Sequence, residues 1–163
     1  LAHLLKKQNK PEEAVQLYRR ALAIREALRG PHHSEVASTL NNLVNLLKNQ
    51  GRYDEAEPLS RRVIAIREGL HGPDHHELAN ALGNCAFLLK KQGKYGESEL
   101  LYRRILTIRE SVRGPDHLEV ATVLDIVAGL LKTQGKVEEA EPLYRRALTI
   151  RENGKSKRPN QKV

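Results

Sequence analysis

The sequence predicts an all-α protein, an α-solenoid of four helical hairpins, on three observations. A single 42-residue step links Gly30, Gly72 and Gly114, and equally Leu5, Leu47, Leu89 and Leu131. The same step carries Gln8 to Gln50, Gln92 and Gln134, Ile24 to Ile66, Ile108 and Ile150, and the pair Arg19-Arg20 to Arg61-Arg62, Arg103-Arg104 and Arg145-Arg146. Within each period two apolar stripes recur at helical spacing, and glycine or proline stands between them. Self-similarity at such a period marks a repeat architecture. One hairpin cannot bury its stripe alone, whereas copies stacked side by side bury every stripe in a continuous core.

The elements follow in order. The chain start leaves a shortened first helix, 1–8, ahead of a second over 11–29. In the next unit Leu40, Leu43, Val44 and Leu47 occupy i, i+3, i+4 and i+7, one stripe of a helix over 34–49. Gly51 closes it, as glycine often does. Ala56, Leu59, Val63, Ile66 and Leu70 form the stripe of a helix over 53–71, which His71-Gly72-Pro73 ends. Asp74 with Glu77, and Asp116 with Glu119, read as capping boxes for the helices that follow. The period then places helices over 76–91, 95–113, 118–133 and 137–152. Pro58 and Pro142 fall about five residues into their helices, past the point where a missing N–H is harmless, and are expected to perturb those first turns. The array thus occupies 1–152, in units of about 1–33, 34–75, 76–117 and 118–152. From about Gly154 the polar, basic remainder has no apolar residue before Val163, and 153–163 is expected to be a disordered basic tail.

Composition narrows the function classes. Charged residues make up 29% of the 163, and no apolar run approaches the roughly 20 residues needed to span a bilayer. No secretory pattern opens the chain, since Leu5 runs straight into Lys6-Lys7. A Leu at position 1 and the lack of any Met read as a fragment whose natural start is missing. Cys85 is the only cysteine, so no internal disulfide is possible, which fits a reducing compartment and a cytoplasmic location. Lys155, Lys157, Arg158 and Lys162 carry half of the formal charge of +8, which leaves a modestly basic body that favours acidic partners. With 4% aromatic residues, a base-stacking platform for single-stranded nucleic acid is poorly supplied, and nucleic acid is not the favoured partner.

No Gly-rich loop after a strand, nucleophile elbow or HExxH helix is present, so the sequence predicts no enzyme and no cofactor. Histidines recur in one link, as His32-His33, His75-His76 and His117. Equivalent links lie about a helix pair apart, too far for the roughly 2 Å of a zinc–nitrogen bond, so loop and capping roles are expected rather than a metal site. Glu57, Glu99 and Glu141 precede Arg61, Arg103 and Arg145 by four residues, the spacing of surface ion pairs. Cys85 shares the register of Leu43 and Val127 and reads as a small core residue.

The turn Gln50-Gly51-Arg52-Tyr53-Asp54-Glu55-Ala56 resembles the signature between the two helices of the tetratricopeptide repeat, whose usual unit is 34 residues. Small residues at helix contacts agree: Ala2, Ala86 and Ala128 in the first helices, Ala14, Ala56, Ser98 and Ala140 in the second. The lengthened helices and the Gly-Pro-Asp-His link make the unit similar to the 42-residue repeats of kinesin light chains. Ser60 departs from the family's tyrosine, and Val63 and Ile105 are bulky where Ala21 and Ala147 are small. The resemblance implies a right-handed α-solenoid whose concave surface is lined by the first helix of each hairpin.

In that register the inward positions are Asn41, Asn42, Asn45, Lys48 and Asn49 in the second unit, and Asn80, Asn84, Phe87, Lys90 and Lys91 in the third. The fourth unit offers Asp125, Gly129 and Lys132. Asparagine can bond the backbone of an extended peptide through both donor and acceptor, and lysine attracts acidic side chains. In kinesin light chains such positions are implied to hold cargo-adaptor peptides. The expected function is a non-catalytic interaction scaffold that binds a protein or an acidic peptide. The alternative is a structural or oligomerisation spacer within a larger protein. Exposed apolar surface is expected at both ends of the array, at the last helix on the face bearing Leu143, Ala147 and Ile150, with copies packing end to end.

Overall fold

The computed structural model describes residues 11–73 and 75–156. Among them there are seven helices and no strand: α1 (Pro11–Arg29), α2 (Ser34–Asn49), α3 (Tyr53–His71), α4 (His76–Lys91), α5 (Tyr95–Arg113), α6 (Leu118–Thr133) and α7 (Val137–Ser156). The all-α hairpin fold expected from the period is thus present. The expected first helix over 1–8 lies outside the described residues. The first six spans coincide with those expected, and α7 runs further. At the register of Gly30, Gly72 and Gly114 this helix carries Ser156, so no glycine is there to end it, and Gly154 to Ser156 are helical rather than tail.

The chain divides into two compact units, Leu1–Gly93 and Lys94–Val163. In the first, α1 to α4 enclose two clusters. One joins Ala14, Val15, Leu43, Val44, Leu46, Leu47, Ala56 and Leu88, with Tyr18, Tyr53, Leu59 and Phe87 against its edge. The other joins Val36, Ala37, Leu40, Val63, Ile66 and Ala81, with Leu22 and Ile64 packed on it. In the second unit Val120, Ala121 and Leu124 of α6 meet Ala147 and Ile150 of α7, flanked by Leu106 and Leu143. Of the small residues the repeat places at helix contacts, Ala14, Ala56, Ser98, Ala140, Ala86 and Ala128 are buried, and Ala2 lies outside the described residues. Cys85 is buried as expected.

The last helix corrects one expectation. Ala147 and Ile150 are buried inside the hairpin, because that stripe packs on α6. The exposed apolar residues are Val137, Tyr144 and Leu148, on another face of α7.

The helix starts correct another. The capping box of Asp116 with Glu119 does not form as expected, since the N-cap of α6 is His117, one residue after Asp116, and Asp74 lies outside the described residues. His33, His75 and His117 each hold extended backbone at the N-cap, and each accepts at Nδ1 from the N–H of the glutamate two residues on, at 3.2, 3.3 and 3.2 Å. An imidazole nitrogen thereby satisfies one of the orphan donors of the first turn, a task that usually falls to serine or aspartate.

Helices α2 and α6 end in Schellman turns. Gly51 has φ +74° and donates to the carbonyl of Lys48 at 3.1 Å, while the N–H of Arg52 reaches the carbonyl of Leu47 at 3.0 Å. Helices α3 and α7 continue through Pro58 and Pro142 without a break.

A glutamine beyond each first helix ties it to the hairpin before. Gln50 Nε2 donates to Glu12 Oε1 at 3.2 Å, and Gln92 Nε2 to Asp54 Oδ1 at 2.8 Å. In the second unit the register position of these acids is Gly96, and Gln134 Nε2 instead donates to Glu99 Oε2 at 2.9 Å. The Glu99 side chain is only 9% exposed, and it also accepts from Arg103 Nε at 2.6 Å, with Lys136 Nζ at 3.9 Å. Burial pushes its carboxyl up, but hydrogen bonds from Arg103 and Gln134 and the charges of Arg103 and Lys136 outweigh it and hold the group below the usual carboxylate value. A carboxyl whose folded value is depressed stabilises above its unfolded value, near 4.3, and loses that contribution as pH falls through the folded one. Glu99→Gln is therefore expected to be less stable than the parent at pH 7. The gap should shrink on acidification below about pH 4. Urea unfolding at pH 7 and pH 3.5 checks this, and a gap independent of pH would contradict it.

Candidate functional site

The expected site residues of the first unit lie on α2 and α4, the first helices of successive hairpins, which meet directly. Asn41, Asn45 and Lys48 of α2 follow one another at i, i+4 and i+7. Asn80, Asn84, Phe87 and Lys91 of α4 stand at i, i+4, i+7 and i+11. Both sets are stripes that one side of a helix presents. Asn41, Asn45, Lys48, Asn84 and Phe87 are half-buried, while Asn42, Asn49, Asn80, Lys90 and Lys91 are exposed.

Five of these residues come together. Lys48 Nζ donates to Asn84 Oδ1 at 3.1 Å, and Asn84 Nδ2 donates to Asn41 Oδ1 at 3.0 Å. The ammonium groups of Lys48 and Lys91 each lie 5.5 Å from the centre of the Phe87 ring, within cation–π range. The hydrogens of such a ring's edge carry partial positive charge and its face partial negative charge, so the face attracts both lysines. Tyr53, at the start of α3, meets Phe87 edge-on, with ring centres 6.4 Å apart and planes at 77°. The sequence reading missed Tyr53. Its signal was available only as an aromatic residue in the signature turn, at the register of Tyr95.

The fourth hairpin does not repeat this arrangement. The carboxylate of Asp125 is held by Arg151 of α7, so it serves its own hairpin. Lys132 is exposed and borders a hollow of about 380 Å³ with Val137, Ala140, Glu141, Tyr144 and Arg145. The arginine pairs take the expected partners. Arg61 bonds Glu57 at 2.5 Å, Arg103 bonds Glu99, and Arg145 bonds Glu141. Their neighbours Arg62 and Arg146 reach Glu26 and Glu110 of the preceding second helix in their own units, at 2.5 and 2.6 Å. No described helix is long and apolar enough to cross a membrane.

A sequence profile of the tetratricopeptide repeat matches residues 1–48, 35–111 and 84–153. Comparison with curated proteins finds no match. Among solved structures, BtubC (BKLC) from P. vanneervenii superposes with a TM-score of 0.84 at 21% identity, covering 99% of this chain. The chain spans 65% of that protein's length. The kinesin light chain nearly identical TPR-like repeats of Podosopora anserina give 0.81 at 20% identity, covering 98% of this chain and 74% of that one. MamA MSR-1 gives 0.68 at 19%, covering 94% and 75%. At these identities the likeness is one of fold, and the profile supplies the family. Proteins of this fold generally serve as protein–protein interaction scaffolds. The chain belongs to the tetratricopeptide repeat family.

Proposed function

We propose that the chain is a non-catalytic, cytoplasmic scaffold that binds an extended acidic peptide across the face shared by α2 and α4. The observation that carries this is the cluster of Lys48 and Lys91 on the Phe87 ring. Two cations and a half-buried aromatic side chain stand together on a face that also carries the expected asparagines. Elsewhere Arg61, Arg109 and Arg146 pair with Glu57, Glu119 and Glu110. The amides of Asn42, Asn45, Asn49 and Asn80 are suited to main-chain groups of a ligand. The lysines steer and select acidic residues, and the exposed part of Phe87 supplies an apolar anchor. Affinity near the micromolar range is the expectation for a short segment that orders on binding. Isolation of the bound partner, followed by peptide mapping, tests the reading. Lys48→Glu with Lys91→Glu is expected to weaken the mapped peptide at least about tenfold and to flatten its salt dependence. Unchanged binding would remove this face from consideration.

A second reading, self-association, is favoured by the end face of α7. Val137, Tyr144 and Leu148 are 59, 40 and 55% exposed beside the hollow that Lys132 borders. Leu106, at the register of Leu148, is packed under the following first helix, so an equivalent helix would cover the α7 face. Light scattering is expected to show association at high concentration that Leu148→Glu removes. A strict monomer would count against it.

A further inference from the structure

We infer that copies of this chain associate head to tail, the α7 end of one on the α1 end of the next; this rests on the self-association reading of the α7 face. The joints between hairpins inside the chain supply the template. In the first unit Arg52 meets Glu12 at 2.9 Å, Arg19 meets Glu55 at 3.0 Å and Arg62 meets Glu26 at 2.5 Å, each pair linking one hairpin to the next. In the second unit Arg103 stands 4.0 Å from Glu139 and Arg146 2.6 Å from Glu110, the counterparts of the last two pairs. The same ion pairs thus mark the joint in both units.

Three 42-residue steps carry Glu12, Arg19 and Glu26 to Glu138, Arg145 and Glu152 of α7. These stand at i, i+7 and i+14, on one side of the helix, and all three are exposed. One step back carries Arg52, Glu55 and Arg62 to Lys10, Glu13 and Arg20. Glu13 and Arg20 are exposed on α1. Acid, base, acid at one end of the chain therefore match base, acid, base at the other. The apolar chemistry agrees. Leu88 is the buried residue that α4 adds to the cluster around Ala56. Ala140, at the register of Ala56, borders the hollow with Val137 and Tyr144, and Leu4 has the register of Leu88. Gln8 likewise has the register of Gln50, which donates to Glu12. Exposed ion pairs add little affinity, so apolar burial at the hollow holds the copies together and the charges set polarity and register. The two surfaces differ, so each junction leaves a further α7 end open, and growth does not stop at two copies.

The test is sedimentation velocity of the full chain over a range of concentrations. One variant, Glu138→Lys with Glu152→Lys, reverses the α7 end, and another, Lys10→Glu with Arg20→Glu, reverses the α1 end. The parent is expected to grow past dimers as concentration rises. Each variant alone should need at least about tenfold more protein to associate. An equimolar mixture of the two should associate as the parent does, because every junction in it can set opposite charges together. A variant that had lost its fold could not be rescued in this way. A mixture no better than the separate variants would overturn this inference alone. So would a parent that stops at dimers, or a Lys10→Glu, Arg20→Glu variant that associates as the parent does, since the α7 face would then meet some other surface of its partner. A parent that stays monomeric would overturn the self-association reading and this inference with it.

Discussion

Ile66→Ala is expected to lower the unfolding free energy by about 2–5 kcal/mol, and Ile24→Ala by about 1 kcal/mol or less. The two isoleucines occupy the same register of successive second helices, yet Ile66 is 2% exposed and Ile24 is 49% exposed. Ile66 lies in the cluster formed by Val36, Ala37, Leu40, Val63 and Ala81, where deleted methyl groups leave a cavity that the surrounding helices cannot close. At Ile24 much of the removed surface faces water, so only a fraction of the transfer free energy is lost. Urea titration of both variants measures the difference. Equal losses would mean that register, rather than the burial seen here, governs the contribution.

Gly72→Ala is expected to destabilise by about 1–3 kcal/mol, and Gly69→Ala, three residues earlier, to stabilise by about 0.4–1 kcal/mol. Gly72 ends α3 with φ +83° and ψ 174°, a region essentially reserved for glycine. A Cβ there would meet nothing within 4 Å, so the penalty belongs to the backbone alone. Gly69 lies inside the same helix without a positive φ, and a Cβ there also meets nothing. Alanine at that site restrains the unfolded chain and raises helix propensity. Opposite shifts of the thermal midpoint are the expected result, and shifts of the same sign would contradict the assigned backbone conformation.

The helices were legible because the 42-residue period repeats both the apolar stripes and the glycines that close them. Helix α7 overran its expected end because Ser156 breaks that rule at the last link. The caps were misplaced because aspartate with a glutamate three residues on is the commoner signal, and His117 sits beside it in sequence. At the site, the period and the family register put the asparagines and lysines on α2 and α4, but neither says which of them pair. That Asn84 holds Lys48 depends on two side chains from different helices, 36 residues apart, meeting at hydrogen-bond distance. The end face was misread for a related reason. Leu143, Ala147 and Leu148 are all apolar residues of one helix, and only packing on α6 decides which stripe turns inward.

The hairpins look like interchangeable cassettes, but the glutamine contacts show that they are not. Gln50 and Gln92 find their acid near the start of the preceding second helix, on Glu12 and Asp54, whereas Gln134 finds it three residues further on, at Glu99, because Gly96 has vacated the earlier place. The second unit thus pairs its glutamine with a different rung from those used in the first, and the change at residue 96 is matched by the change in partner. Shuffling these hairpins into longer or reordered arrays would therefore need a matching rule. A hairpin that carries glycine at the position of Gly96 must also bring the glutamate of Glu99, with Arg103 beside it, or the glutamine of its new neighbour loses its carboxylate partner.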